Sequence, residues 1–267
     1  MKLSRVAGAA SALSLTAALA LGVPGVAHSA ERASTPAYVA LGDSYSSGVG
    51  AGSYDPAGGS CKRSTRSYPA LWAARNAPSS FAFTACSGAR TGDVLAGQLG
   101  PLNSSTGLVS ISVGGNDAGF ADTMTACVLG GDSSCLDRIA QARAVIQNEL
   151  PAKLDDVYSA IRSRAPRAQV VVLGYPRFYR TGGLCAGLSD TKRKAINAAA
   201  DHLDTVIAKR AADHGFSYGD VNTTFAGHEL CSGSAWLNSV SLPVDESYHP
   251  NAAGQANGYL PVFDKAA

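Results

Sequence analysis

Short apolar runs, each bounded by glycine, proline or polar residues, recur along the chain and predict β-strands. Five such runs are present, at Ala37–Leu41, Ser80–Cys86, Leu108–Val113, Val170–Leu173 and Phe216–Val221. The run at Val170–Leu173 is continuously apolar and rich in β-branched side chains, which is typical of a parallel strand that is buried on both faces.

Segments with helical periodicity lie between these strands. Tyr68–Asn76 predicts a short helix, and the apolar positions across Leu136–Ile161 recur at three- and four-residue steps. That spacing is typical of one face of a long helix, or of a helix pair that bends at Pro151. A further amphipathic helix falls within Ser189–Asp213, and Pro250 stands where a last helix would begin.

The alternation of strands and helices indicates a parallel sheet that is covered by helices on both faces. In such a sheet, ligands bind at the carboxyl ends of the strands. The residues that directly follow each strand are therefore the candidates for chemistry. The apolar fraction of 46% excludes disorder as a description of the whole chain.

The amino-terminal segment has the order of an export signal. A basic start with Lys2 and Arg5 is followed by an uncharged apolar stretch and then by small residues. This order predicts a secretory signal peptide over residues 1–30, with its end between 27 and 35, and a secreted, extracellular protein. The apolar stretch is short and Pro24 interrupts it, which argues against a membrane-spanning helix.

Residues 31–267 remain as one predicted domain, which is long enough to bury a full core. Loss of Lys2 and Arg5 reduces the 22 basic residues to 20, against 20 acidic ones. The remaining net charge of zero gives no electrostatic argument for binding nucleic acid or an anionic membrane surface. No later uncharged apolar stretch approaches the roughly 20 residues of a transmembrane segment.

Six cysteines all lie beyond the predicted signal peptide. They are Cys61, Cys86, Cys127, Cys135, Cys185 and Cys231. An even number on an exported chain predicts three disulfides, and we favour sequential pairing because it closes the shortest loops. The close cysteine pairs of a zinc site are missing, so no metal is expected.

Four blocks of small and polar residues stand at strand ends or near the carboxyl terminus. They are Gly42–Gly48, Cys86–Ala89, Gly114–Asp117 and Asp245–Pro250. In this order they resemble the SGNH (GDSL) hydrolase family of esterases and lipases, and above all its secreted, six-cysteine actinobacterial members. The resemblance implies a three-layer α/β/α sandwich around a five-stranded parallel sheet, with flavodoxin-like topology.

The resemblance also implies a role for individual residues. Ser44 would be the nucleophile and His249 the base that activates it. The oxyanion hole would consist of the backbone N–H groups of Ser44 and Gly88 and the side-chain amide of Asn116. From local sequence alone, Ser44 is equally a residue that caps the next helix, and His249 is equally a capping histidine before Pro250.

The group that orients His249 is left open by the sequence. The family usually has an aspartate three residues before the histidine, and this chain has Glu246 there. A glutamate can orient an imidazole as an aspartate does, so Glu246 is the leading candidate. The alternatives are the backbone carbonyl of Ser247, as in family members without the acid, and the carboxylate of Asp245.

The resemblance implies a serine esterase or lipase that hydrolyses carboxylic esters of lipids, phospholipids included, through an acyl-enzyme. A carbohydrate acetyl-esterase and a non-catalytic secreted binding module are the alternatives. We expect no cofactor and a monomer. Four aromatic residues near loops either line an acyl-chain groove or anchor the loops; they are Phe120, Phe178, Tyr179 and Trp236. Arg177 and Arg180 are expected to be solvated surface residues.

Overall fold

The computed structural model describes residues 35–267. The predicted signal peptide over 1–30, with its end between 27 and 35, lies outside the described residues. The described residues form one unit. Within them, no helix combines the length and the apolar composition that crossing a membrane requires.

Five parallel strands form one sheet. They are β1 (Ala37–Gly42), β2 (Phe81–Phe83), β3 (Thr106–Ser112), β4 (Gln169–Leu173) and β5 (Ser217–Gly219). Their spatial order is β2-β1-β3-β4-β5, and every neighbouring pair is parallel. This is the flavodoxin-like order, in which β2 and β3 flank β1 on opposite sides. The carboxyl ends of β1 and β3 therefore frame the crevice where such folds bind ligands.

The three central strands contain most of the apolar residues of the sheet. Tyr38 of β1 pairs with Leu108 of β3, which in turn pairs with Gln169 at the start of β4. Val170–Leu173 is buried throughout, as its continuous apolar sequence predicts. A strand can lack polar alternation in this way because helices cover both of its faces.

The two edge strands are shorter than the sequence pattern predicts. β2 keeps three residues of the predicted run Ser80–Cys86, and β5 keeps three of Phe216–Val221. Just past β2, the backbone N–H groups of Thr84 and Ala85 both donate to the carbonyl of Ala40, so the regular ladder ends there. An edge strand pairs on one side only, and irregular bonds can replace its ladder without disturbing a second neighbour.

Helices of very different length connect the strands. They are α1 (Ser44–Ser47), α2 (Tyr68–Asn76), α3 (Thr91–Asp93), α4 (Phe120–Leu129), α5 (Asp132–Asn148), α6 (Leu150–Arg164), α7 (Asp190–Asp213), α8 (Asn222–Phe225) and α9 (Leu260–Ala266). Helices α2 and α9 contact each other, whereas α5, α6 and α7 form a separate group. Helices α7 and α9 belong to different groups, yet both pack on β4 and β5. The two groups therefore cover opposite faces of the sheet. The result is the expected three-layer α/β/α sandwich.

The predicted helices are confirmed with small changes at their ends. The long periodic segment is a helix pair, because α5 ends at Asn148 and α6 begins at Leu150 with Pro151 in its first turn. Proline is tolerated there because the first turn has no internal hydrogen-bond partner for its missing N–H. The chain beyond Pro250 forms a wide helical turn at Gly254–Tyr259 before α9 begins.

Three disulfides join the cysteines sequentially, as predicted. The pairs are Cys61–Cys86, Cys127–Cys135 and Cys185–Cys231. The first pair ties the loop before α2 to the segment that follows β2, two residues before Gly88. The second pair is buried in the core and joins α4 to the first turn of α5, and the third pair joins two loops.

Gly42→Ala should destabilise the fold, because Gly42 closes β1 with φ +124° and a Cβ atom there would lie 2.5 Å from the carbonyl oxygen of Ser112. Backbone strain and overpacking together predict a loss of about 2–5 kcal/mol in the free energy of unfolding. Urea unfolding with intact disulfides measures it.

Gly100→Ala is the matched control, because a Cβ at Gly100 meets no atom within 4 Å. It should change the free energy of unfolding by about 0.5 kcal/mol or less. Equal losses in the two variants would contradict the steric explanation.

Candidate active site

The turn after β1 presents the hydroxyl of Ser44. Asp43 is the N-cap of α1, and its carboxylate accepts a hydrogen bond from the backbone N–H of Tyr45 at 3.0 Å. Because Asp43 caps the helix, the Ser44 side chain is left for another partner. That partner is His249, whose Nε2 lies 2.7 Å from Ser44 Oγ. The predicted serine and histidine are therefore in hydrogen-bond contact although 205 residues separate them.

Backbone contacts hold His249 against this turn. The preceding residue, Tyr248, has φ +65°, an uncommon conformation for a residue with a side chain. Its N–H donates to the carbonyl of Asn238 at 2.9 Å, and its carbonyl accepts from the Tyr45 hydroxyl at 2.7 Å. Such a backbone conformation persists only where neighbouring contacts fix it. Tyr45 therefore links the serine turn directly to the segment that carries the histidine.

The backbone carbonyl of Ser247, one of the three groups left open, contacts the imidazole. Its oxygen lies 3.0 Å from His249 Nδ1, so Nδ1–H donates to it and Nε2 is left to accept from Ser44. The Glu246 carboxylate instead accepts from the Tyr54 hydroxyl at 2.8 Å. The Asp245 carboxylate pairs with the Lys62 ammonium at 2.5 Å. Neither acidic side chain reaches the ring in this arrangement.

The environment of His249 favours its neutral form. Burial lowers the pKa of the imidazole from 6.5 to about 4, because an imidazolium loses its hydration there. The carbonyl of Ser247 and the charge of Asp245 oppose this shift, and Lys62 adds to it. Nε2 can therefore accept a proton throughout the neutral and mildly acidic range.

Hydrogen-bond donors lie in the same surface groove as Ser44 and His249. Gly88 lines the groove and has φ +77°, a conformation that glycine adopts without steric cost. Within residues 35–267, no acceptor is bonded to its N–H. Asn116 also lines the groove, and its side-chain amide donates to the Ala89 carbonyl at 3.0 Å. The structure thus brings all four residues predicted from the family blocks to one place.

Asp117 links the second block to the third. Its carboxylate accepts from the backbone N–H of Thr91 at 3.0 Å and from the Thr91 hydroxyl at 2.6 Å. Thr91 lies 26 residues earlier in the chain, so the contact fixes the distance between the loops that carry Gly88 and Asn116.

A buried network around Asp43 was not apparent from the sequence. The Asp43 carboxylate accepts from the hydroxyl of Ser112 at 2.7 Å and from that of Tyr175 at 2.5 Å. The Tyr175 hydroxyl in turn accepts from the backbone N–H of Gly115 at 3.2 Å. Burial raises the pKa of Asp43 to about 6, although these hydrogen bonds lower it. Tyr175 therefore joins the turn of Ser44 to the turn of Asn116.

Two cavities meet at Ser44. We call the first the slot; it lies between α4, α5 and α7, and its lining includes Ser44, Asn116, Phe120, Met124, Ala142, Ile146, Phe178, Ile196, Ala199, Ala200 and Leu203. We call the second the groove; it is open to the surface, and its lining includes Ser44, Gly88, Asn116, Phe120, Ala121, Met124, Val128, Leu129, Val240, Val244 and His249. The cavity volumes are about 60 Å³ and 540 Å³. Both cavities are lined mainly by apolar side chains.

The four aromatic residues divide between the two interpretations that the sequence left open. Phe120 and Phe178 line the slot and stack on each other, with ring centroids 5.1 Å apart. Trp236 stacks on His228 at 3.6 Å, and Tyr179 packs beside Tyr248, so these two anchor loops.

One further sequence expectation concerns two arginines. Arg177 lies on the surface and is paired with Asp201, and Arg180 is exposed. Among residues 35–267, no three His, Cys, Asp or Glu side chains converge into a possible metal site.

Comparison with known proteins gives matches along the whole chain. A model of the GDSL-like Lipase/Acylhydrolase family matches residues 40–256, a range that contains all four blocks. A lipase of Streptomyces rimosus is 70% identical over 267 residues, which cover 100% of both chains. The crystal structure of an extracellular lipase from Streptomyces rimosus shares 72% identity at a TM-score of 0.86, covering 87% of this chain and 100% of that one. Phospholipase A1 from Streptomyces albidoflavus shares 60% identity at a TM-score of 0.86, covering 88% and 100%.

Tyr175→Phe should destabilise the protein, and the loss should increase with pH. The variant removes a hydrogen-bond donor to the buried Asp43 carboxylate. We therefore expect the free energy of unfolding to fall by about 1–3 kcal/mol at pH 7. Because the pKa of Asp43 is about 6, the carboxyl group is protonated at pH 4 and the lost bond matters less there. Urea unfolding at the two pH values measures the difference.

Tyr259→Phe is the matched control for Tyr175→Phe. The buried hydroxyl of Tyr259 donates to the neutral carbonyl of Gly174 at 2.8 Å. The loss of unfolding free energy in this variant should therefore not depend on pH. A loss at Tyr175 that is equal at pH 4 and pH 7 would contradict the role assigned to the Asp43 charge.

Proposed function

The chain belongs to the GDSL-like lipase/acylhydrolase family and is an ester hydrolase, and from this premise we propose that Ser44 and His249 carry out its reaction on carboxylic esters of lipids. The observation that carries the proposal is the contact of 2.7 Å between Ser44 Oγ and His249 Nε2. It lies in a groove that also contains Gly88 and Asn116. A serine hydroxyl becomes an effective nucleophile only when a neighbouring base takes its proton.

The reaction proceeds through an acyl-enzyme. Ser44 Oγ attacks the ester carbonyl carbon while His249 Nε2 takes the hydroxyl proton. The N–H groups of Ser44 and Gly88 and the amide of Asn116 stabilise the oxyanion of the tetrahedral intermediate. The intermediate collapses when the C–O bond to the alcohol breaks and the imidazolium returns its proton to the departing oxygen. A water molecule then repeats the sequence on the acyl-enzyme and releases the carboxylic acid.

In this mechanism the Ser247 carbonyl replaces the acid of a catalytic triad. It holds the ring in the tautomer that exposes an unprotonated Nε2, which is the orienting part of the acid's role. A neutral carbonyl does not supply the negative charge that would raise the pKa of the imidazole. The low pKa makes His249 a weaker base but, once protonated, a stronger acid toward the leaving alcohol.

Lipid esters are the substrates that the surroundings of Ser44 favour. The slot and the groove present apolar side chains to any ester that reaches the serine. The similar Streptomyces proteins are named a lipase and a phospholipase A1. A carbohydrate acetyl-esterase would have no use for apolar cavities of this extent, and a non-catalytic binding module would not require a bonded serine and histidine.

The setting of this activity also belongs to the proposal. The chain is exported, loses the signal peptide over residues 1–30 with cleavage between 27 and 35, and works as a domain of residues 31–267. Export agrees with three disulfides, which form in oxidising compartments. A monomer suffices, because all four blocks of the site come from one chain.

Hydrolysis of nitrophenyl esters, from acetate to palmitate, tests the function. Ser44→Ala should lower kcat by about a thousandfold or more because it removes the nucleophile. The purified chain with intact disulfides is compared with the variant at equal concentration. Wild type should hydrolyse medium or long acyl esters well, whereas an acetyl-esterase would act on acetate alone.

Ser47→Ala is the control, because Ser47 is a buried serine in the same helical turn whose hydroxyl donates to the Ser44 carbonyl at 3.3 Å. It should retain most of the activity. Full activity in Ser44→Ala, or an inactive wild type, would refute the assignment and favour the binding module.

The pH dependence of kcat/KM tests the orienting group. Since the pKa of His249 is about 4, the acidic limb of the profile should lie near pH 4. Glu246→Gln should leave this limb in place and lower kcat only slightly, because Glu246 contacts Tyr54. Asp245→Asn should move the limb to lower pH, because the Asp245 charge raises the pKa of His249.

The contrary result has two parts: the acidic limb of wild type lies near pH 6 or 7, and Glu246→Gln both abolishes this limb and greatly lowers kcat. That result would identify Glu246 as the orienting acid. Circular dichroism at pH 4 checks that the protein remains folded over the range measured.

A further inference from the structure

Large apolar side chains are exposed at the mouth of the groove. Among residues 35–267, seven such side chains are exposed, and four of them lie in two short segments. Leu129 is 81% exposed, and Val240, Leu242 and Val244 are 58%, 89% and 68% exposed. Leu129 and the two valines line the groove, whereas Leu242 lies between the valines in sequence and does not. Single exposed apolar residues are common, but a cluster at one entrance marks a binding surface.

The two segments that carry these side chains are uncharged. We call residues 126–131, at the end of α4, the first tip, and residues 239–244 the second tip. Neither contains a lysine, an arginine or an acidic residue. Asp132 and Asp245 directly follow the tips, and the Asp245 carboxylate pairs with the nearby Lys62. An anionic surface would therefore find no attracting charge on the tips, whereas an uncharged or zwitterionic surface would meet apolar side chains.

Hydrogen bonds close the second tip on itself. The Ser247 hydroxyl accepts from the backbone N–H of Ser241 at 3.0 Å. The carbonyls of Pro243 and Val244 accept from the backbone N–H groups of Glu246 and Ser247 at 3.0 and 3.1 Å. Unpaired backbone groups are costly in lipid, and these bonds lower their number. The tip can therefore enter a headgroup layer, where water remains for the other backbone groups.

A buried lysine satisfies the backbone of the first tip. The last turn of a helix leaves carbonyl groups without internal partners, and α4 ends at Leu129. The buried ammonium of Lys192, from α7, donates to the carbonyls of Cys127 and Gly130 at 2.9 and 2.6 Å. The Cys127–Cys135 disulfide fastens the same turn to α5. Leu129 is therefore exposed on a braced turn in which these two carbonyls do not need water.

We propose that the two tips dock the enzyme on the surface of a zwitterionic phospholipid bilayer, with Leu129 and Leu242 in the headgroup layer and the groove open toward the lipid. The tips border the groove that a lipid ester must enter, and they carry no charge. Docking therefore depends on apolar contact rather than on attraction between charges. The proposal rests on the proposed function, because it presumes that Ser44 hydrolyses esters that lie in such a surface.

Binding to vesicles of diether phosphatidylcholine tests the docking surface, because this lipid has no carboxylic ester to hydrolyse. Leu242→Ser and Leu129→Ser each remove one apolar side chain and should weaken partitioning onto the vesicles by about tenfold. Leu184→Ser is the matched control, because Leu184 is a fully exposed leucine that does not line the groove. It should bind as wild type does. Co-sedimentation with the vesicles measures all four proteins.

Two further measurements separate apolar docking from charge and from catalysis. Wild-type binding should change by about twofold or less when anionic phosphatidylglycerol is added to the vesicles or when the salt concentration is raised. Leu242→Ser should keep the wild-type kcat/KM on soluble nitrophenyl acetate, because Leu242 lines neither cavity. That activity also reports an intact fold. On vesicles of ester-linked phosphatidylcholine, the rate of the variant should fall with its binding.

Several outcomes would overturn the docking surface. Wild type that does not bind phosphatidylcholine, or that binds only anionic vesicles at low salt, is one. Equal binding by wild type and both tip variants is another, as is an equal loss in Leu184→Ser. A dimer in size-exclusion chromatography that Leu242→Ser dissociates would assign the tips to a second copy of the chain instead.

These outcomes leave the proposed function standing as long as hydrolysis of nitrophenyl esters requires Ser44. Activity that persists in Ser44→Ala would refute the proposed function itself, whatever the vesicles show.

Discussion

The buried carboxylate of Asp43 is the group on which the geometry of the site depends. It accepts hydrogen bonds from the N–H of Tyr45, the hydroxyl of Ser112 and the hydroxyl of Tyr175. These donors come from the turn after β1, the end of β3 and the segment after β4. A buried charge that lost its donors would cost several kcal/mol, so the three strand ends must keep their positions. The orientation of Ser44 is thus fixed by the sheet itself.

The histidine is held to this frame by backbone atoms rather than by a second buried acid. Tyr45 extends from the serine turn and donates to the carbonyl of Tyr248, next to His249. The Ser247 carbonyl then orients the ring without adding a charge to a site that already contains the Asp43 carboxylate. Glu246 and Asp245 remain near the surface, where Tyr54 and Lys62 bind them. The arrangement buries one carboxylate near Ser44 instead of two.

Local patterns predicted the sheet and the break at Pro151, because these depend on nearby sequence, whereas the four site residues were implied by the resemblance of four sequence blocks to the family. The orienting carbonyl of Ser247 could not be chosen over Glu246 in this way. It depends on the positive φ of Tyr248, which contacts 10 and 203 residues away hold in place. Tyr175 was missed for the same reason, since its bond to Asp43 spans 132 residues.

Burial shifts the pKa values of the carboxyl groups and of His249 in opposite directions. Burial raises the pKa of Asp43 to about 6 and that of Asp204 to about 7, so their contributions to stability fall as the pH rises through those values. Burial lowers the pKa of His249 to about 4, below its unfolded value, so its contribution increases between pH 4 and about 6.5. Between about pH 4 and 6.5, the contribution of the carboxyl groups to the free energy of unfolding falls with rising pH while that of His249 rises. The desolvation that keeps His249 unprotonated therefore offsets part of the pH dependence that the buried carboxyl groups introduce.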